Sequence, residues 1–234
     1  MLAACLVISH RGEHLHHAEN TVAAYLAAFD AGADFIEVDV RTTRDGRLVL
    51  MHDATVDRTT SGHGAVAEMT FGEIRALDYA KVPTLDEAMD LAQAPRGVYL
   101  DCKQVAPEAL VNAIARHGMA GRVVVYGRPE FLRQVRPLDP ALKVMPEAGN
   151  PSLLRGLIDT LHLRIAAFDA HDFDDATIAV AKAAKLDIYV DRLGVLDTPA
   201  GWQDAIDRGA TGIQTDKPGE LAKFLLNGRQ SSRH

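Results

Sequence analysis

Asp34-Phe35-Ile36-Glu37-Val38-Asp39-Val40 is an otherwise apolar, β-branched run in which the carboxylates Glu37 and Asp39 stand two apart. A strand places successive side chains on opposite faces, so Glu37 and Asp39 point the same way. Two carboxylates held that close in a partly dry place repel. They either share a proton or hold a hard cation through oxygen ligands. Upstream, Asn20 to Ala31 carries Val22, Tyr25, Leu26 and Phe29 at helical spacing and stops at Gly32, while residues 4 to 9 read as a strand. Strand, helix and strand in that order make a parallel unit.

Downstream, Asp45-Gly46 lies between the acidic strand and Leu48-Val49-Leu50-Met51, a tight-turn signal that would make these two strands antiparallel. A long irregular segment, 54 to 82, follows His52-Asp53, with a short helical piece at 71 to 77. Loops of that length in a compact domain are usually functional. Thr84 and Glu87 then form a capping box for a helix to Gln93, and Val98 to Lys103 is a strand with Asp101 and Lys103 on one face.

The same alternation continues to the end of the chain. Helices are expected at 107–117, 129–135, 152–158 and 174–184, and strands at 122–126, 142–145, 164–168, 186–191 and 212–215. Thr198 as N-cap with Pro199 behind it opens a helix to Arg208, and Leu221, Phe224 and Leu225 stripe the last helix before a polar, frayed tail from Asn227. Repeated strand-helix units over 234 residues predict a closed (β/α)8 TIM barrel, a single domain over 1–234 with a small insertion at 54–82. Nine strand candidates compete for eight places, and the surplus lies at the Asp45-Gly46 turn.

Composition narrows the function. The chain is 47% hydrophobic and carries a net charge of -7 with no basic run, which argues against nucleic acid and against stable membrane association, and leaves a small molecule as the expected partner. Cys5 and Cys102 both fall in expected strands and read as reduced core thiols of a cytoplasmic protein. The apolar start lacks the charged n-region and cleavage site of a signal peptide. In a barrel, side chains at the C-terminal strand ends meet at one mouth. His10, Arg11, Glu37, Asp39, His52, Asp101 and Lys103 all sit at such ends, which would gather a divalent cation, proton donors and acceptors, and charge for an anion.

Ser-His-Arg-Gly at 9–12, Glu-Asn-Thr at 19–21, Glu-Val-Asp-Val at 37–40, the run 44–53 ending in Met-His-Asp, 56–64, Val-Pro-Thr-Leu-Asp-Glu-Ala at 82–88 and Gly-Ile-Gln-Thr-Asp-Lys-Pro at 212–218 together resemble the glycerophosphodiester phosphodiesterase family. The resemblance implies a TIM barrel with an insertion after the His-Asp pair, and metal-dependent hydrolysis of glycerophosphodiesters to glycerol 3-phosphate and an alcohol. It implies Glu37, Asp39 and Asp101 as ligands of one Mg²⁺ or Ca²⁺, His10 and His52 as the acid/base pair, and Arg11 and Lys103 on the phosphate oxygens. Where the family usually has Glu as third ligand this chain has Asp101, one methylene shorter. Ala18 replaces a common Pro, the segment between Leu77 and Val82 is short, and Tyr189 stands near a usual Trp. Alternatives are a related barrel phosphodiesterase acting on a lysophospholipid or an inositol phosphodiester, or a barrel that binds a phosphodiester without turnover. His14, His16, His17 and His63 read as solvated loop histidines, Trp202 as exterior packing, and Asp169, His171 and Asp172 as either helix entry or mouth lining. The head group, Mg²⁺ against Ca²⁺, and the formation of a homo-oligomer stay open.

Overall fold

The computed structural model describes residues 5–77 and 82–231. Its strands are β1 (Leu6–Ser9), β2 (Phe35–Thr42), β3 (Leu48–Leu50), β4 (Gly97–Gln104), β5 (Val123–Tyr126), β6 (Lys143–Met145), β7 (Ile165–Phe168), β8 (Asp187–Asp191) and β9 (Gly212–Thr215). Eight of them run parallel in the order β6-β5-β4-β2-β1-β9-β8-β7. The circle is nearly closed between β6 and β7 by a parallel bridge from Glu147 to Ala167, with Ala148 N donating to Ala167 O at 2.8 Å. The ninth strand resolves the surplus: β3 pairs antiparallel with the end of β2 (Val40 opposite Leu50) and lies outside the barrel path.

Helices α1 (Val22–Asp30), α3 (Leu85–Leu91), α4 (Pro107–Arg116), α5 (Pro129–Leu138), α6 (Pro151–Leu161), α7 (Asp175–Ala183), α8 (Pro199–Asp207) and α9 (Pro218–Ser231) surround the barrel, and α2 (Phe71–Arg75) belongs to the insertion. Their starts follow the side chains that satisfy the first free N–H groups. Thr84 and Glu87 form the expected reciprocal box, and Thr70 with Glu73 forms a second one for α2. Asn150, Asp174 and Thr198 cap α6, α7 and α8.

Several boundaries differ from expectation for physical reasons. In α1 the buried face is Ala24, Tyr25, Ala28 and Phe29, while Leu26 is exposed, because the small alanines let the helix pack close. α3 ends two residues before Gln93, and α5 extends to Leu138 with Pro137 in its last turn. α9 carries on through Ser231, so the polar stretch from Asn227 to Ser231 is helical. The tail beyond Ser231, the start before Cys5 and residues 78–81 of the shortened segment lie outside the described residues.

Alternation along the strands splits the apolar side chains into two cores. One set, including Val7, Ile36, Val38, Leu100, Val125, Ile188, Val190 and Ile213, packs outward against the helices. The other, Ile8, Tyr99, Val124, Met145, Ile165, Ala167 and Tyr189, fills the barrel interior and floors the mouth. Val49, Met51, Val56, Val66, Ile74 and Val82 form a satellite core under the insertion. No helix among the described residues is long and apolar enough to cross a membrane.

Gly97 opens β4 where a Cβ would overlap the Phe35 ring and come within 2.7 Å of the Arg122 carbonyl. Backbone on one side leaves no room to yield. Gly97→Ala is expected to cost about 1–3 kcal/mol of unfolding free energy, the usual range for overpacking, in denaturant titrations; an unchanged midpoint would show that the strand shifts freely.

Candidate active site

His10 and Arg11 directly follow β1 and Lys103 lies late in β4, whereas Glu37, Asp39 and Asp101 sit within β2 and β4, and His52 follows β3, outside the barrel path. β2 and β4 are in register with Asp39 opposite Asp101, so the two carboxylates from neighbouring strands come together with Glu37. Glu37, Asp39 and Asp101 offer ligand oxygens all within 4.8 Å of one another. The shorter Asp101 therefore still reaches the group. Burial, and after it the charges of Asp39 and Asp101, hold the Glu37 carboxyl well above its ordinary range. Burial also raises Asp101, against the pull of Lys103. Three acidic groups in a dry place, with all-oxygen chemistry, fit a hard divalent cation.

Positive and neutral groups hold this cluster in place. Lys103 Nζ lies 2.6 Å from Asp101 Oδ2 and 3.2 Å from Asp39 Oδ1, so the strand face read from sequence carries both partners. Asn20 Nδ2 donates to Asp39 Oδ2 at 2.8 Å, and Tyr25 Oη donates to Asn20 Oδ1 at 2.8 Å. Arg11 adopts φ 52°, which non-glycine residues rarely do; that turn aims its backbone N–H at Glu37 Oε2, 2.8 Å away, and its carbonyl at the Asn20 N–H. Gly12, with φ +80°, must follow, since a Cβ there would sit 2.7 Å from that of Ala24. Arg11 Nε, 3.4 Å from Asp39 Oδ2, is buried and makes no hydrogen bond. That guanidinium N–H thus sits in ion-pair range of Asp39 without a hydrogen-bond acceptor of its own.

The two histidines share one arrangement. His10 Nδ1 lies 2.7 Å from Asp216 Oδ1, and His52 Nδ1 lies 2.7 Å from Asp53 Oδ1. A carboxylate acceptor keeps the proton on Nδ1 and leaves Nε2 as the reactive nitrogen. Asp216 is a residue the sequence reading missed, although it stood in the quoted motif just past the last strand. Asp53 also receives Arg58 Nε at 2.6 Å, and Arg58 grips Glu19 with two nitrogens at 2.7 and 2.8 Å. Glu19 in turn contacts Arg11 at 3.3 Å. Hydrogen bonds from Arg58 and then His52 depress the Asp53 carboxyl far below its ordinary range. The insertion thus ties His52 to Arg11 through Arg58.

The remaining candidates divide. His14 reaches the mouth, with Nδ1 2.8 Å from His10 O and Nε2 3.4 Å from Asp216 Oδ1, whereas His16 and His17 are exposed. His63 is exposed beside Asp57. Trp202 is buried and donates to Asp197 Oδ1 at 2.8 Å. Asp197 also accepts from Thr215 Oγ1 and the Asp216 N–H, which steadies the carboxylate that holds His10. Asp172 is buried and Asp169 adjoins it, so the mouth-lining alternative applies to both; His171 is exposed. With Glu147 they form a second group of carboxyls.

Burial, reinforced by Asp172, Asp191 and Asp169, pushes Glu147 from 4.5 up to about 8 despite the hydrogen bond from Tyr126. The folded protein then binds an extra proton between those values, so the stability present below pH 4.5 is lost as pH rises to about 8. Glu147→Gln is expected to shrink that fall by on the order of a few kcal/mol, measured as urea unfolding at pH 4.5, 6 and 8. Parallel pH profiles for variant and wild type would refute the assignment.

Comparison with known proteins agrees with this geometry. The profile of the "Glycerophosphoryl diester phosphodiesterase family" matches residues 10–106, which span His10 to Lys103. A glycerophosphodiester phosphodiesterase of Caldanaerobacter subterraneus is 33% identical over 248 aligned positions, covering 95% of this chain and 98% of that protein. The crystal structure of a glycerophosphodiester phosphodiesterase from Agrobacterium tumefaciens superposes with a TM-score of 0.83 at 29% identity, over 94% of this chain and 99% of that one. An Oleispira antarctica phosphodiesterase solved with the product sn-glycerol-3-phosphate has the same fold (TM-score 0.84, 23% identity, 94% and 96% covered). With a relative matched at that identity over nearly its whole length, this chain belongs to the glycerophosphoryl diester phosphodiesterase family.

Proposed function

We propose that the protein is a divalent-metal-dependent phosphodiesterase that hydrolyses glycerophosphodiesters to glycerol 3-phosphate and an alcohol. Glu37, Asp39 and Asp101 are its metal ligands, His10 and His52 its acid/base pair, and Arg11 and Lys103 its phosphate-binding residues. The observation that carries this reading is the meeting of an all-oxygen cluster with two imidazoles whose Nδ1 atoms are already held by carboxylates. The family to which the chain belongs, and the activity for which its relatives are named, support the same reaction.

A phosphodiester resists attack because its charge repels nucleophiles and its leaving alkoxide is a poor one. Glu37, Asp39 and Asp101 would hold the cation, which when bound would supply charge neutralisation at the phosphate and Lewis acidity for the attack. The chain's own groups do the rest. Arg11 Nε offers a buried N–H that lacks an acceptor, and Lys103 adds a second fixed positive charge beside Asp39. One imidazole Nε2 accepts a proton from the nucleophile and the other delivers one to the departing oxygen. Asp53 and Asp216 each hold their ring by Nδ1, which leaves Nε2 for the transfer.

Release of glycerol 3-phosphate from glycerophosphocholine should require added Mg²⁺ or Ca²⁺ and stop in EDTA; release that EDTA leaves untouched, or none from any glycerophosphodiester, overturns the reading. His10→Ala and His52→Ala should each lower kcat by at least about a hundredfold, within the usual range for a lost proton transfer, while the thermal unfolding midpoint moves little. Activity retained in either variant removes that histidine from the mechanism. Asp101→Glu should keep or tighten metal affinity by calorimetry, and a marked loss would show a site built for the shorter carboxylate.

A further inference from the structure

The mouth has two unlike halves. Around Asp39 and Asp101 the carboxylates are matched by Arg11 and Lys103. Across it, the ends of β5 to β9 bring together Tyr126, Glu147, Asp169, Asp172, Asp191 and Gln214, and among the described residues no lysine or arginine pairs with these four carboxyls. Arg192, which follows Asp191 in sequence, is turned away: it grips Asp204 at 2.9 Å and lies over the Phe173 ring. His171, 3.5 Å from Asp169, is exposed outside the mouth.

Strand alternation aims these groups inward. Tyr189 belongs to the interior core while Ile188 and Val190 pack outward, so Asp191 shares the interior face. Gln214 stands in register with Asp191, two residues after Gly212, whose missing Cβ would meet the interior side chains Tyr189 and Ile8. Gln214 is only 6% exposed, yet its side-chain oxygen has no donor. Glu147 Oε1 is likewise enclosed and without a donor, the other oxygen being taken by Tyr126 Oη at 2.8 Å. Asp191 makes no side-chain hydrogen bond, and burial followed by the charges of Asp169, Asp101 and Asp172 pushes it up to about 7. Buried acceptors without donors are costly and mark a missing partner.

The acceptors to be filled call for several N–H groups carrying positive charge. A divalent metal fits less well, because Asp191 stands outside the group whose oxygens fall within 4.8 Å, and both oxygens of Asp172 are already occupied by the Gly149 and Asp169 N–H groups. An ammonium is larger, donates in several directions, and gains from the Tyr126 ring that closes this side. β4 and β5 are in register with Asp101 opposite Tyr126, so a phosphodiester held at the first half has its substituent within reach of the second.

We propose that Tyr126, Glu147, Asp191 and Gln214 form a subsite for a primary ammonium on the alcohol of the substrate, so that ethanolamine-bearing glycerophosphodiesters are the preferred class. This rests on the phosphodiesterase reading above. Three diesters separate its parts: glycerophosphoethanolamine has charge and N–H donors, glycerophosphocholine has charge alone, and glycerophosphoglycerol has neither. With Mg²⁺ present, kcat/KM should be about tenfold higher for the ethanolamine than for the glycerol diester, with choline between, one charge-assisted contact being worth about that factor. Asp191→Asn and Glu147→Gln, checked for folding by thermal unfolding, should each collapse the ratio while the glycerol diester keeps its rate. A glycerol diester turned over as well as the ethanolamine one, or an equal fall of all three in the variants, overturns the subsite. So does a second equivalent of Mg²⁺ or Ca²⁺ that the wild type binds in calorimetry and Glu147→Gln loses. If none of the three is turned over, the phosphodiesterase reading fails instead, and calorimetric affinities of the same diesters for the wild-type protein decide the subsite: equal affinities, or binding of none, reject it.

Discussion

Repulsion among Glu37, Asp39 and Asp101 is the constraint around which the mouth is built. Parallel register between β2 and β4 brings Asp39 level with Asp101, and alternation brings Glu37 to the same face, so the fold itself creates the conflict. Water cannot relieve it, because Glu37 and Asp39 are almost wholly buried. The chain answers with oriented donors: the Arg11 backbone N–H, Asn20 behind Asp39, and Lys103 between two carboxylates. Two of these donors need left-handed backbone, at Arg11 and Asn20, both with φ 52°. Strained turns of that kind persist where the surroundings over-determine them, and here they serve the charge cluster directly.

The insertion after His52-Asp53 extends the same logic. It covers its own small apolar core, which anchors a loop that would otherwise have little to hold it. From that base Arg58 spans Asp53 and Glu19, so a single guanidinium links the carboxylate behind one imidazole to the carboxylate beside Arg11. Arg58 is half exposed, and an ion pair in that setting contributes little to stability. Its value lies in geometry: a planar fork with fixed directions holds two acidic groups at a set separation.

Much of this is legible in the chain itself, and the reasons are physical. Period-two alternation at 34–40 and 98–103 determines which carboxylates share a face, and the Thr84-Glu87 and Thr198-Pro199 signals are local, so helix starts follow from a few residues. The surplus strand was visible as well, but whether Leu48–Leu50 joined the barrel depended on the five residues 43–47, where Thr43 and Asp45 bond to each other and widen the turn. Asp216 escaped notice because its partner lies 206 residues away, and a single Thr-Asp after a strand looks like ordinary helix entry. Glu147 and Asp191 were hidden for a similar reason. Each is a lone acid at a strand end, and only barrel closure between β6 and β7 brings them to one space.

Closure also explains why the two halves of the mouth can differ so sharply. Both rise from the same apolar floor, on which Tyr99, Val124, Met145 and Tyr189 exclude water from below. On β4 an acid and a base share one face, Lys103 two residues from Asp101, and Arg11 follows the end of β1 beside Asp39, so positive charge is built into neighbouring strand ends. On β8 the neighbouring base, Arg192, falls on the opposite face by the same alternation and is spent on the helix layer with Asp204 and Phe173. One position of phase along a strand therefore decides whether a carboxylate meets an internal cation or is left to take one from a ligand.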